Sequence, residues 1–270
     1  MRIARFSLPG GDPTYGIVEL EQDGGQFPNT VAVISADPLA GPVKYTGARH
    51  DLDAVRLLAP VIPRSKIIAM GRNWAGHAQE MGDDVPQTPI VFIKPNTSVI
   101  GPDEAIVKPI ECQHLSYEGE LAIVIGRICR RVPPERAAEV IFGYTCANDV
   151  TARDLQAAEE QWTRAKGFDT FCPLGPWIVA HLGLAEAGDL SIVTSVDGKV
   201  VQDDSTANMV RSIAEIVAFA SGFATLLPGD VLLTGTPPGV GAMTAGQRVT
   251  VEIDGIGALS NPVVDEGMNA

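Results

Sequence analysis

Residues Ser116–Asp154 read SYEGELAIVIGRICRRVPPERAAEVIFGYTCANDVTARD, and their reading decides the fold and the chemistry expected of it. Glu118 and Glu120 stand two apart at the head of the apolar run Leu121-Ala122-Ile123-Val124-Ile125. A strand sends residues i and i+2 to one face, so both carboxylates point the same way. Burying two like charges side by side is costly unless a cation lies between them. Asp149 ends a second apolar segment, Ile141 to Asn148, where Thr151-Ala-Arg-Asp154 reads as the capping start of a helix. Three carboxylates with no His or Cys ligand beside them favour a hard cation, Mg²⁺, Mn²⁺ or Ca²⁺, over zinc. Taken singly, each of the three is more commonly an exposed strand charge or a helix cap. Their company is what points to a metal.

The chain has 270 residues, 45% of them apolar, which suits one large domain or a main domain with a small appendage. A formal net charge of −13 argues against nucleic acid or an anionic membrane as partner, because both require a basic footprint. An acidic protein handling an anionic substrate must concentrate positive charge locally. Cys112, Cys129, Cys146 and Cys172 show no C-x-x-C spacing and lie in or beside apolar segments, as reduced core thiols of a cytoplasmic enzyme do. MRIARFSLPGG lacks the apolar core of a signal peptide, and no apolar run is long enough to span a membrane.

Working outward, residues 1–62 read as a small β-rich domain: extended pieces at Ile3–Leu8, Tyr15–Leu20 and Thr30–Ile34, then a helical pattern at Leu52–Leu58, with a boundary at Pro60–Pro63. It carries no chemical constellation and is expected to be a structural or dimer-supporting appendage to residues 63–270. Lys66–Met70 is a buried strand. If the chain is helical from Trp74, His77 and Glu80 are neighbours at i and i+3, and a carboxylate beside an imidazole makes a general base. The alternative is a surface His-Glu pair. Gly82–Pro89 is suited to a lid, or is an ordinary loop. Lys94 ends the strand Ile90–Lys94 as a site residue or a surface charge.

Pro133–Val140 reads as a short amphipathic helix. Arg153 and Gln156, again i and i+3, begin one turn from Asp149 and could grip a carboxylate and a carbonyl, or simply face solvent. Lys166 sits in a Gly-, Pro- and aromatic-rich loop where a solvated charge is out of place. A hairpin turns at Asp197-Gly198, Ser212–Ser221 is a helix, and Pro228–Gly239 is a buried strand ending in a turn whose amides could bind an anion.

Seven motifs in one order, GRNWAGHAQEMG, FIKPNTSVIGP, YEGELAIVIG, GYTCANDVTARDLQ, KGFDTFCPLGPW, DGKVVQDDSTANM and PGDVLLTGTPPGVG, resemble the fumarylacetoacetate hydrolase family over roughly Ile67–Val263. The resemblance implies a mixed, mostly β (α+β) chain with a β-roll catalytic domain, a Mg²⁺ site and a homodimer. By position it makes Glu118, Glu120 and Asp149 metal ligands and His77 with Glu80 a water-activating dyad. It places Arg153, Gln156, Lys166 and Thr236 at substrate. Trp74 departs from the family's frequent Tyr, beside the dyad. Members act on small 2-oxo acids, and the expectation for this chain is Mg²⁺-dependent hydrolysis of a C–C bond in an acylpyruvate or related 2,4-dioxo acid. The alternatives are an isomerase or decarboxylase of 2-oxo dioates, and a non-catalytic small-anion binding protein.

Overall fold

The strand Gly119–Ile125 is buried along its whole length and lies inside a large sheet of the computed structural model, which describes residues 1–82 and 84–267. It pairs antiparallel with Ile141–Asn148 on one side and Val231–Leu233 on the other. Beyond Val231–Leu233 come Ile67–Gly71, in parallel, and then Ile90–Lys94 at the sheet's edge. In the other direction Cys172–Val179 follows Ile141–Asn148, and then the N-terminal strands Arg2–Ser7, Thr14–Glu19, Thr30–Ile34 and Tyr45–Asp51. The fold is mixed and mostly β, and one sheet runs from the N-terminal segment into the rest of the chain.

The apolar run at residues 121–125 lacks polar alternation because both faces of its strand are covered. Leu121, Ile123 and Ile125 face a core shared with Tyr144, Val251 and the helix Ile213–Phe223, whereas Ala122 and Val124 face one shared with Leu174 and Leu233. A five-stranded sheet containing Ser191–Val196 and Arg248–Ile253 packs on the first of these. The helix Ile213–Phe223 starts with a capping box: the Glu215 N–H donates to Ser212 Oγ and the Ser212 N–H to the Glu215 carboxylate.

Three local expectations are corrected, and one strand has no expectation set against it. Leu52–Leu58 is a single 3-10 turn, Leu52–Ala54, followed by strand Arg56–Leu58, which pairs with Arg2–Ser7. A seven-residue pattern is too short to hold a helix against the stretch Arg5–Ser7, which Cys172–Val179 leaves unpaired and which offers hydrogen bonds. Tyr45–Asp51 is a strand with no apolar alternation to reveal it, since its side chains are largely exposed. Pro134–Glu139 is 3-10 rather than α. Thr151 does not cap a helix: it belongs to the short strand Thr151–Ala152, and Ala152 precedes the helix Arg153–Ala158 with no side-chain cap. All four cysteines are buried and free, and among the described residues no helix is long and apolar enough to cross a membrane.

Candidate active site

Pairing of Gly119 with Asn148 brings the two halves of the opening stretch together. The Glu118 N–H donates to Asn148 Oδ1 (2.9 Å), and the Asp149 N–H donates to the Glu118 carbonyl (2.8 Å). Carboxylate oxygens of Glu118, Glu120 and Asp149 then lie within 4.8 Å of one another, and all three residues are buried. Gly119 permits this crossing, because a Cβ there would stand 2.1 Å from Thr194 Oγ1.

Positive charge is distributed unevenly over the three. Lys166 Nζ lies 2.8 Å from both Glu118 Oε2 and Asp149 Oδ2. Arg153 Nη2 is 2.5 Å from Glu118 Oε1, a charge contact rather than an aligned hydrogen bond, since that nitrogen has no hydrogen-bond partner. Lys94 is fully buried, with its ammonium on Asp149 Oδ1 and on the Val150 carbonyl, so it is no surface charge. Glu120 accepts only the Gly235 N–H (2.7 Å) among the described contacts. Burial pushes the Glu120 carboxyl well above the usual range, and the charges of Asp149 and Glu118 push it further. Burial also raises Glu118, but Lys166, Arg153 and His77 outweigh it and hold that carboxyl well below its ordinary value. A buried carboxylate short of positive charge, converging with two others, fits a divalent cation.

His77 and Glu80 lie on the helix Ala75–Glu80, with Nδ1 3.5 Å from Oε2, the outer limit of a hydrogen bond. His77 is buried, and Glu80 is held from behind by the Gly239 N–H at 3.1 Å. The turn expected to bind an anion thus binds the protein's own carboxylates, Glu120 through Gly235 and Glu80 through Gly239. Thr236 is similarly committed: its hydroxyl donates to the Gly119 carbonyl and accepts from Gln202 Nε2. Arg153 Nη1 donates to Gln156 Oε1 at 2.8 Å.

A cavity of about 270 Å³ collects eight of the nine residues to which the family resemblance gives roles, all but Glu80. Its apolar lining, Met70, Met81, Phe92 and Trp162, escaped sequence reading because single apolar residues in strands and loops carry no chemical signature. Phe92 and Trp162 meet edge to face at 5.6 Å, and Lys166 Nζ lies 5.0 Å from the Phe92 ring centre. Arg72, also in the lining, belongs to GRNWAGHAQEMG, where a single Arg after a strand carries no chemical signature of its own. The loop after the dyad is tied down by Arg211 Nη2, which donates to the carbonyls of Pro86 (2.9 Å) and Gln87 (2.6 Å). Asp83 of that expected lid lies outside the described residues.

Comparison with known proteins gives the family. Residues 66–264 match the family described as Fumarylacetoacetate (FAA) hydrolase C-terminal, and residues 1–60 that described as Rv2993c-like, N-terminal. Protein Rv2993c of Mycobacterium tuberculosis is 46% identical over 99% of both chains. Oxaloacetate tautomerase fahd2, mitochondrial, of Xenopus laevis is 44% identical over 78% of this chain and 69% of its own length. A crystal structure of 5-carboxymethyl-2-hydroxymuconate delta-isomerase from Mycobacterium smegmatis superposes with a TM-score of 0.88 at 45% identity, covering 98% of this chain and 100% of that one. With a family match over most of its length and relatives at this identity, the chain belongs to the fumarylacetoacetate hydrolase family.

Proposed function

We propose that this protein is an enzyme that moves a proton between the enol oxygen and C3 of a 2-oxo acid, as a tautomerase or double-bond isomerase. The observation that carries the reading is a buried imidazole, His77, in one small cavity with three converging carboxylates and the cations Lys166 and Arg153. The isomerase and tautomerase names of the similar proteins favour proton transfer over the hydrolysis expected from the sequence.

Glu118, Glu120 and Asp149 would hold a divalent ion, Mg²⁺ among the candidates, which when bound supplies a Lewis acid for the 2-oxo group. Arg153, whose Nη2 lacks a hydrogen-bond partner, binds the substrate carboxylate, and Gln156 fixes the plane of its guanidinium. Lys166 holds Glu118 and Asp149 apart from each other's charge. Glu80 orients His77 through Nδ1, leaving the second ring nitrogen to take the proton from the enol hydroxyl and return it at C3. Met81, Phe92 and Trp162 keep bulk water from that transfer. The exposed Val91 and Ile93 on the edge strand Ile90–Lys94 support a homodimer.

Hydrolysis is the second reading, favoured by the same His77–Glu80 contact, which would serve equally to activate water. Following the ultraviolet absorbance of enol-oxaloacetate with purified protein and Mg²⁺ tests the choice. Accelerated decay to the keto form, with no carboxylic product released, supports proton transfer. Cleavage of an acylpyruvate with no effect on enol decay would replace it with hydrolysis.

A further inference from the structure

The segment Gly126–Arg136, GRICRRVPPER, carries four of the chain's 20 Lys and Arg residues on a protein of net charge −13, and no role described above falls on it. It leaves the strand Gly119–Ile125 at the end away from the carboxylate cluster, and at the rise of a strand Glu120 and Ile125 are roughly 17 Å apart. Arg127, Arg130, Arg131 and Arg136 line one recess of about 360 Å³, in which Glu139 is the one carboxylate among the described residues of the lining.

The segment is held firmly to its neighbours. Cys129 and Leu226 exchange N–H to carbonyl bonds at 3.0 and 2.9 Å, the Arg131 N–H donates to the Ser221 carbonyl (2.8 Å), and the Val132 N–H donates to Ser221 Oγ (2.9 Å). Arg131 sits in the left-handed region at φ 53°, a conformation seldom adopted by a residue with a side chain and held here by those bonds. Two of the four guanidiniums are engaged. Arg130 Nη1 donates to the carbonyls of Ser221 (2.7 Å) and Gly222, closing the C-terminal end of the helix Ile213–Phe223. Arg136 pairs with Glu139 through two bonds, Nε to Oε1 at 3.0 Å and Nη2 to Oε2 at 2.7 Å.

Arg127 and Arg131 make no side-chain hydrogen bond or ion pair among the described residues, and Arg127 acts on Glu139 through charge alone. Like charges gathered in one recess repel each other, and a chain with 33 Asp and Glu places none in an ion pair with either. A guanidinium meets a phosphate through two parallel hydrogen bonds, so two free guanidiniums in one concave site match two linked phosphates. The charge distribution also selects a small ligand. An extended polyanion would meet the surrounding acidic surface, whereas a ligand inside the recess lies within the roughly 10 Å over which charges act at about 0.1 M salt.

We infer that this recess is a second ligand site, separate from the carboxylate cluster, that binds a diphosphate group, either inorganic pyrophosphate or the diphosphate of a nucleotide. Calorimetric titration of the full chain with pyrophosphate and with ADP tests it, in chelator so that neither is drawn to an ion at Glu118, Glu120 and Asp149. Pyrophosphate should bind at a single site, and inorganic phosphate roughly tenfold or more weaker, since it engages one guanidinium rather than two. Arg127→Gln and Arg131→Asn should each weaken pyrophosphate roughly tenfold, the usual worth of a charge-assisted hydrogen bond. Melting temperature should hold, because both side chains are exposed and unpaired and Asn tolerates the left-handed backbone. The pair Arg56→Gln and Arg248→Gln, outside the recess, controls for general charge and should leave the affinity unchanged. ADP binding tighter than pyrophosphate, with the excess removed by Ile128→Ser, assigns a nucleotide resting on the exposed Ile128 of the same lining; equal affinity assigns the phosphate chain alone. Absence of binding by both probes would overturn the site. So would an affinity that Arg127→Gln and Arg131→Asn leave unchanged, or that the control pair lowers equally.

Discussion

Glu118 and Glu120 stand on either side of Gly119, both buried, and their carboxyls are driven in opposite directions: Lys166 and Arg153 pair with Glu118, whereas Glu120 has no ion pair among the described contacts and the more distant Lys166 charge does not offset its burial beside Asp149 and Glu118. The deficit at Glu120 is where a divalent ion would stabilise the fold. Saturating Mg²⁺ should therefore raise the melting temperature, by about 2.7 kcal/mol of stability at a hundred times Kd. In chelator, Glu120→Gln should melt higher than wild type, because it removes an unbalanced buried charge, and it should no longer respond to metal. The sign with pH follows: a carboxyl raised on folding contributes its stability at low pH, and that is lost as pH rises from the ordinary carboxylate range through the folded value. Calorimetry with and without chelator checks each point, and equal melting with and without Mg²⁺ would sink the metal.

Asp230 shows the reverse sign. Burial raises its carboxyl, but hydrogen bonds from Lys66, Ser65 and the Leu227 N–H, with the Lys66 charge, bring it below 3.8. Its contribution is complete above that value and lost as pH falls through the lower folded one. Asp230→Ala leaves these donors unsatisfied at the start of strand Ile67–Gly71 and should cost about 3 kcal/mol, read by urea unfolding at neutral pH. The difference from wild type should shrink toward pH 3.

His77→Ala should lower the rate of proton transfer on the order of a hundredfold, the usual contribution of a positioned base, while substrate binding persists. Glu80→Gln should lose less, since it orients the imidazole from 3.5 Å and touches no reacting atom. Steady-state kinetics separate kcat from KM. An undiminished kcat in His77→Ala would return the pair to a structural role.

Gly119→Ala places a methyl group 2.1 Å from Thr194 Oγ1 in a fully buried strand. Overpacking of this kind costs roughly 1–3 kcal/mol and shifts backbone, so Glu118 and Glu120 should lose their common face and Mg²⁺ affinity should fall with stability. Paired thermal melts and metal titrations give the comparison. A destabilised variant with unchanged affinity would show that the spacing of the carboxylates tolerates movement here.

The strands and the carboxylate cluster were legible because they rest on short-range rules. A period of two aligns Glu118 with Glu120, and an unbroken apolar run announces a strand covered on both faces. The helix Ala75–Glu80 likewise brings His77 to Glu80 by local spacing alone. Misreadings fell where local preference is weak: Arg56–Leu58 was taken up by the unpaired end of strand Arg2–Ser7, and Thr151 turned its hydroxyl to Glu118 Oε1 and the Asp149 carbonyl rather than capping a helix.

What the sequence determined by itself was the inventory of charges and the faces on which neighbours along the chain display them. Only the tertiary structure decided who neutralises whom. Lys94 is 55 residues from Asp149 and Gly235 is 115 from Glu120, so their contacts depend on strand order across the sheet, and no local periodicity encodes that. The same holds for Arg72: its residue type is visible in the sequence, but its place in the cavity comes from a strand two positions removed from the carboxylates.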